Sequence, residues 1–217
     1  MIKDKRVSEI INEILKKEMN KTIESFVQVE KVNKEITGRS LEMDYKNMVL
    51  LYPSILLEYV DNLEKNTTYN EEQGNIIKNA QKQLENWISI YESPNIVSEC
   101  YEYLIQEKNK LDNDFKEKTR NKGLEESLLV ASAKIGGIAL RNLQRENNNL
   151  DGEIEKYPYT KEELEMIDKF SEITKKLEII EEYVELNYTE EDEEEMWNFK
   201  ILSKNFHWLT NKSTLWF

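Results

Sequence analysis

The sequence predicts an all-α protein, an antiparallel bundle of about six to eight helices. Glycine and proline are scarce, with 6 and 3 among 217 residues, so little interrupts a helix. Apolar residues recur three to five positions apart over long stretches, as the buried side of a helix requires. No stretch alternates apolar and polar residues as a half-buried strand does.

The N-terminal half predicts four helical stretches. The first covers about residues 5–36 and ends at Gly38, because glycine readily adopts the left-handed conformation that follows many helices. A second stretch covers residues 41–52. Pro53 then begins a new helix or kinks the old one, since it has no amide hydrogen to donate. After a polar loop, a further helix is expected over residues 71–91.

The next helix start is indicated by Ser93 and Pro94, with serine as the N-cap residue and proline at the first helical position. This helix is expected to end near residue 118. The most apolar helix of the chain is predicted over residues 124–145.

Two glycines, Gly136 and Gly137, lie inside that apolar helix. Each weakens a helix by about 1 kcal/mol relative to alanine. The first interpretation is a close helix crossing, with Ala133 and Gly137 on one face. A break between two shorter helices is an equal alternative, and a functional hinge is a third.

Two helices are predicted after a loop at about residues 147–158. Thr160 and Glu163 form a capping box, in which each side chain accepts from an amide at the other residue, and a long helix follows. Thr189 is expected to start the last helix, and an aromatic tail closes the chain.

The domain prediction is a single helical domain over residues 1–217. An alternative division places an extended N-terminal arm or dimerising hairpin in residues 1–65 and the remaining bundle in residues 66–217.

Charge is distributed unevenly along the chain. The net charge is −13, and residues 151–217 hold 18 acidic and 8 basic side chains, which accounts for −10 of it. The densest part is an unbroken acidic run: Glu190, Glu191, Asp192, Glu193, Glu194 and Glu195. One interpretation is a solvated helix face whose first turn complements the helix dipole. The other is an acidic docking surface, because six consecutive carboxylates repel one another beyond that turn.

Three of the four tryptophans follow this run, at Trp197, Trp208 and Trp216. They are expected either to fold back onto the bundle or to form an exposed aromatic anchor beside the negative charge. Exposed aromatic anchors are common hot spots of protein interfaces.

Several chemistries are disfavoured by residue counts. A single cysteine, Cys100, and a single histidine, His207, leave no cysteine-based zinc site and no site with two histidines. Cys100 is expected to be a buried, inert thiol and His207 a structural ring. We therefore expect no catalytic residue, no metal and no cofactor. The charged start and the lack of a long apolar run predict neither a secretory signal nor a membrane span, and the lone cysteine favours the cytoplasm.

The leading hypothesis is a non-catalytic acidic protein that binds another protein. In its most concrete form it is an inhibitor or regulator that occupies the basic surface of a nucleic-acid-handling protein, of the kind found in conflict between phage and host. Direct binding to nucleic acid is not expected, because the negative field repels phosphates.

Two alternatives stay open. One is a homo-oligomeric helical scaffold or adaptor that uses the long first helix. The other is a magnesium-dependent helical hydrolase, since carboxylates suit Mg²⁺ and two Glu-x-x-Glu pairs occur in one segment, Glu178 with Glu181 and Glu182 with Glu185.

Overall fold

A computed structural model describes residues 2–40, 44–120, 123, 126–148 and 154–187. These residues form seven α-helices and no strand, which confirms the all-α prediction. The helices are α1 (Lys5–Thr37), α2 (Tyr45–Leu51), α3 (Pro53–Asn66), α4 (Glu71–Tyr91), α5 (Ile96–Arg120), α6 (Leu128–Asn147) and α7 (Lys161–Asn187). The predicted helix from Thr189 lies outside the described residues.

The chain divides into two compact units, Met1–Cys100 and Tyr101–Phe217, with the boundary inside α5. The predicted single domain, and its alternative division after residue 65, stay predictions. In the first unit, the core does not stop at residue 65, because α4 packs against both α1 and α3.

Helix α1 is the long N-terminal helix that the sequence predicts. The Asp4 carboxylate accepts hydrogen bonds from the backbone amides of Arg6 and Val7 and so caps its start. Gly38, with a φ of 69°, ends it as expected. Its 33 residues span about 50 Å. One side carries the buried core residues Phe26, Val29 and Val32.

Helices α1 and α4 run antiparallel. Thr22 reaches the Gln83 carbonyl (3.4 Å), and Glu35, further along α1, accepts from Gln73, nearer the start of α4 (3.1 Å). Asn70 and Gln73 form a capping box at the start of α4. The Tyr69 ring lies against Gly74, where a side chain would leave it no room.

Pro53 begins a new helix, as one of the two alternatives predicts, and α2 starts at residue 45 because Asp44 caps it through the Asn47 amide. Pro53 cannot donate to the carbonyl four residues before it, that of Val49. The buried Trp87 indole N–H donates to that carbonyl instead (2.9 Å).

The predicted helix start at Ser93 and Pro94 is wrong by two residues. Ser93 accepts from the Asn95 amide and so closes a turn. The Asn95 side chain then accepts from Ser98, and the Asn95 carbonyl accepts from Glu99. Asn95 therefore caps α5, and the helix begins at Ile96.

In the second unit, α7 runs antiparallel to α5. Lys118 pairs with Glu162 at one end, and Tyr101 bonds Glu181 at the other. The core shared by the three helices consists of Phe115, Leu128, Ala131, Met166, Ile167 and Phe170. The predicted capping box is confirmed, since the Thr160 amide donates to Glu163 (2.8 Å) and the Glu163 amide to the Thr160 hydroxyl (3.3 Å).

Helix α6 starts four residues later than predicted, because the Ser127 side chain accepts from the Val130 amide and ends the preceding segment. The helix continues without a break through Gly136 and Gly137. Among the described residues, no heavy atom lies within 4 Å of the place where a Gly136 side chain would begin, and at Gly137 the Arg141 side chain of the same helix is the one neighbour given. Ala133 is exposed. The predicted break is therefore wrong, and within the described part of the chain no other helix crosses α6 closely at these glycines.

Candidate binding surface

The residues predicted to bind a partner lie outside the described residues. These are the acidic run, Glu190, Glu191, Asp192, Glu193, Glu194 and Glu195, and the three tryptophans Trp197, Trp208 and Trp216. Their role stays a prediction. The structure does describe the helix that leads into them, α7.

The end of α7 is acidic on its exposed side. Glu178, Glu182 and Glu185 are exposed and follow one another at helical spacing, so they form a single stripe. No basic residue occurs in the last turn. Between Leu177 and Lys200 the sequence contains ten acidic residues and no lysine or arginine. No basic residue therefore separates the stripe from the acidic run in the sequence.

Acidic residues at the C-terminal end of a helix destabilise it. The C-terminal end of a helix carries partial negative charge, and a carboxylate there is unfavourable by roughly 0.3–1 kcal/mol. Neighbouring carboxylates on one helix face also repel one another. Glu178 favours the charged form of Lys108, but neither the dipole nor mutual repulsion accounts for Glu185 in the last turn.

Glu181 belongs to the interior of the second unit and not to this stripe. Its carboxylate accepts from the Tyr101 hydroxyl, and both residues are buried. Burial and the neighbouring carboxylate together raise the pKa of Tyr101. The Lys108 ammonium lies 4.6 Å from the centre of the Phe170 ring. Burial lowers the pKa of Lys108 to about 8, although the carboxylates of Glu178, Glu181 and Asp112 oppose that shift.

The carboxylates proposed for magnesium do not converge. Glu181 faces the core, whereas Glu178, Glu182 and Glu185 face solvent. Among the described residues, no group of three or more His, Cys, Asp or Glu side chains is close enough to hold a metal ion. The hydrolase alternative gains no support from this geometry.

Cys100 is buried, as predicted. Burial raises the pKa of its thiol to about 12, so the reactive thiolate is scarce at neutral pH. His207 lies outside the described residues.

Sequence reasoning missed a second surface, on the solvent side of α6. Val130, Leu140 and Leu143 are exposed there, although exposed helix positions are usually polar. Beside Leu143, a groove of about 560 Å³ lies between α6, the segment 154–159 and the start of α7. A signal was present in the sequence, since the apolar residues of α6 cover most of the helix circumference outside the line of Lys134, Arg141 and Arg145.

The segment bordering the groove is fixed to α6 by two side chains. The Asn142 amide group donates to the Glu155 carbonyl (3.0 Å) and accepts from the Glu155 amide (2.9 Å). The Arg141 guanidinium donates to both oxygens of the Glu155 carboxylate, from Nε to Oε2 (2.9 Å) and from Nη2 to Oε1 (3.0 Å). This pairing raises the pKa of Arg141 and lowers that of Glu155. The groove wall is thus held in place by side chains of α6.

A scan against models of protein families, a search of curated proteins and a search of solved structures each gave no match. Within the ranges that the structure describes, no helix is both long and apolar enough to cross a membrane.

Proposed function

We propose that this protein is a non-catalytic binding protein whose acidic end occupies a basic surface of another protein. The observation that supports this most is the acidic end of α7. Exposed carboxylates accumulate there despite the helix dipole and their mutual repulsion, and in the sequence the acidic run follows at residues 190–195. A surface kept at a cost in helix stability is typical of a functional requirement.

The proposed partner is a nucleic-acid-handling protein, and the chain would act there as an inhibitor or regulator in conflict between phage and host. Basic grooves of such proteins bind phosphates, and a dense carboxylate surface offers a similar field. The negative charge would speed the encounter, and Trp197, Trp208 and Trp216 would slow dissociation by filling apolar pockets. The proposal places the protein in the cytoplasm, where such partners act.

The test compares two variants with the same change in charge. The site variant is Glu191/Glu193/Glu194→Lys, and the matched control is Glu58/Glu72/Glu85→Lys, which alters exposed acids of α3 and α4. Each is used to capture partners from a lysate of the source cells or their host. Association rates with the captured partner are then measured at several salt concentrations.

We expect the site variant to associate at least about tenfold more slowly at low salt, with a weaker dependence on salt, while the control changes far less. A duplex oligonucleotide should compete with the native chain for the partner. Equal slowing in both variants would mean that only net charge matters, and unchanged rates in the site variant would refute the proposal.

One observation favours the homo-oligomeric scaffold as a second candidate. Leu51, Tyr52 and Ile55 are exposed together at the junction of α2 and α3. Neighbouring exposed apolar residues often mark an interface. The scaffold requires a mass in solution above 25.9 kDa that falls when Leu51 and Ile55 are both changed to Ser. A monomer at high concentration would exclude it.

A further inference from the structure

Helix α6 presents an unusual face to solvent. Its exposed side carries Val130, Ala133, Gly136, Leu140 and Leu143, and among large side chains Leu140 and Leu143 are 57% and 55% exposed. An amphipathic helix normally places polar residues on this side. We call these five residues the α6 face. It ends beside the groove, where Ile154 and Tyr157 are also exposed.

One edge of the α6 face is basic. Lys134, Arg141 and Arg145 follow at spacings of seven and four residues, which places them along one line of the helix. Lys134 pairs with Glu126 and Arg141 with Glu155, yet their side chains remain 50% and 52% exposed. In a chain of net charge −13, this face combines apolar surface with a line of cations. Its complement is a segment that carries carboxylates and aromatic rings.

Such a segment follows α7 in the same chain. Residues 188–217 begin with the acidic run and continue with six large aromatic residues after it: Trp197, Phe199, Phe206, Trp208, Trp216 and Phe217. We propose that this segment docks on the α6 face of its own chain, with the carboxylates toward the basic edge and the aromatic rings on the apolar residues. This inference concerns the chain alone and does not depend on the proposed partner.

The segment is also long enough. From Leu164 to Asn187, α7 extends about 35 Å beyond the groove. Trp208 follows Asn187 by 21 residues, which reach about 70 Å when extended. Trp216 reaches further still. Tethering on the same chain supplies an effective concentration in the millimolar range, so weak contacts suffice for docking.

The test uses hydrogen exchange of the full-length chain, without any partner, read from peptides that cover residues 197–217. The site variant is Leu140→Glu/Leu143→Glu, which removes apolar surface and adds charge that repels the acidic run. The matched control is Leu51→Glu/Ile55→Glu, with the same chemistry at exposed positions of the first unit. Light scattering on the same samples gives the mass.

We expect these peptides to be protected in the native chain, and to exchange at least about tenfold faster in the site variant but not in the control. Protection that is absent from the native chain, or equal in all three proteins, would overturn the inference. Protection that grows with protein concentration, with a mass above 25.9 kDa, would also overturn it and assign the α6 face to a second copy. Because no partner is present, these outcomes leave the proposed function untouched.

Discussion

Trp87 is buried almost completely, and its indole N–H donates to the Val49 carbonyl, which has no backbone donor. Pro53 leaves the Val49 carbonyl without the amide that a continuous helix would provide. Asp112 has a similar role in the second unit, where its carboxylate accepts from the Leu128 amide at the start of α6 (2.7 Å). Individual side chains thus compensate for breaks that turns and helix starts introduce.

Trp87→Phe keeps an aromatic ring in the core but leaves the Val49 carbonyl buried without a donor. We expect the free energy of unfolding to fall by about 1–3 kcal/mol. Urea unfolding at constant pH measures this change. Tyr91→Phe is the control, because it keeps an aromatic ring at this exposed position. The Tyr91 ring stacks on the Trp87 ring, with 4.9 Å between the ring centroids. A loss no greater in Trp87→Phe than in the control would contradict the role of the indole N–H.

Lys108 predicts a pH dependence of stability. Its pKa is about 8 in the folded protein against 10.5 for an ordinary lysine, so between these values the unfolded chain binds more protons. Its contribution to stability therefore rises as pH increases from about 8, and it is lost as pH falls through that value. Tyr101, whose pKa is raised, contributes in the opposite direction above pH 10.

The matching experiment compares Lys108→Met with the native chain between pH 7.5 and 10 by urea unfolding. We expect the native chain to gain stability relative to the variant as pH rises, by at most about 1.4 kcal/mol per pH unit for one proton. Lys110→Met, at an exposed position of the same helix, is the control. Parallel curves for native and Lys108→Met proteins would contradict the prediction.

At the scale of elements, the sequence predicts helices well where a cap and an apolar period coincide. The bounds of α1 and α4 agree within one residue, and the Thr160 capping box is confirmed. The starts of α5 and α6 were misplaced, because several capping residues stand close together in the sequence. At α5 the local hydrogen bonds of Asn95 decide the start, and at α6 a tertiary contact from Asp112 contributes. Asn95 prevails over Ser93, and Ser127, supported by Asp112, prevails over residue 124.

Gly136 offers a direct measurement of helix propensity. It lies within α6, and no heavy atom of the residues that the structure describes lies within 4 Å of an added side-chain carbon. Gly136→Ala should therefore raise the free energy of unfolding by about 0.4–1 kcal/mol, because alanine loses less backbone entropy on folding. Thermal unfolding should show a higher Tm. A lower Tm would contradict this prediction.

At the scale of the whole molecule, the sequence reveals how much charge the chain carries but not which side chains face solvent. The Glu-x-x-Glu pairs illustrate this limit, because spacing alone places Glu181 beside Glu178 while the fold buries one and exposes the other. The apolar α6 face was missed for a related reason. A helix with apolar residues around most of its circumference looks largely buried in sequence, and only the packing of α5 and α7 shows which side is left open.

The net charge of −13 predicts that salt stabilises the chain. Self-repulsion extends over about 30 Å at 10 mM ionic strength but only about 8 Å at 150 mM, so Tm should rise over this interval in NaCl. Glu178/Glu182/Glu185→Gln reduces the net charge to −10 and removes the adverse carboxylates at the end of α7, so its Tm should be higher at 10 mM and less dependent on salt. Equal ionic strengths of NaCl, CaCl₂ and MgCl₂ distinguish screening from a bound ion. If Tm rose only in MgCl₂, and this rise were absent from the variant, the result would contradict pure screening and support the carboxylate magnesium site. Equal effects of all three salts would assign the end of α7 to long-range electrostatics, which is the property that the proposed binding function requires.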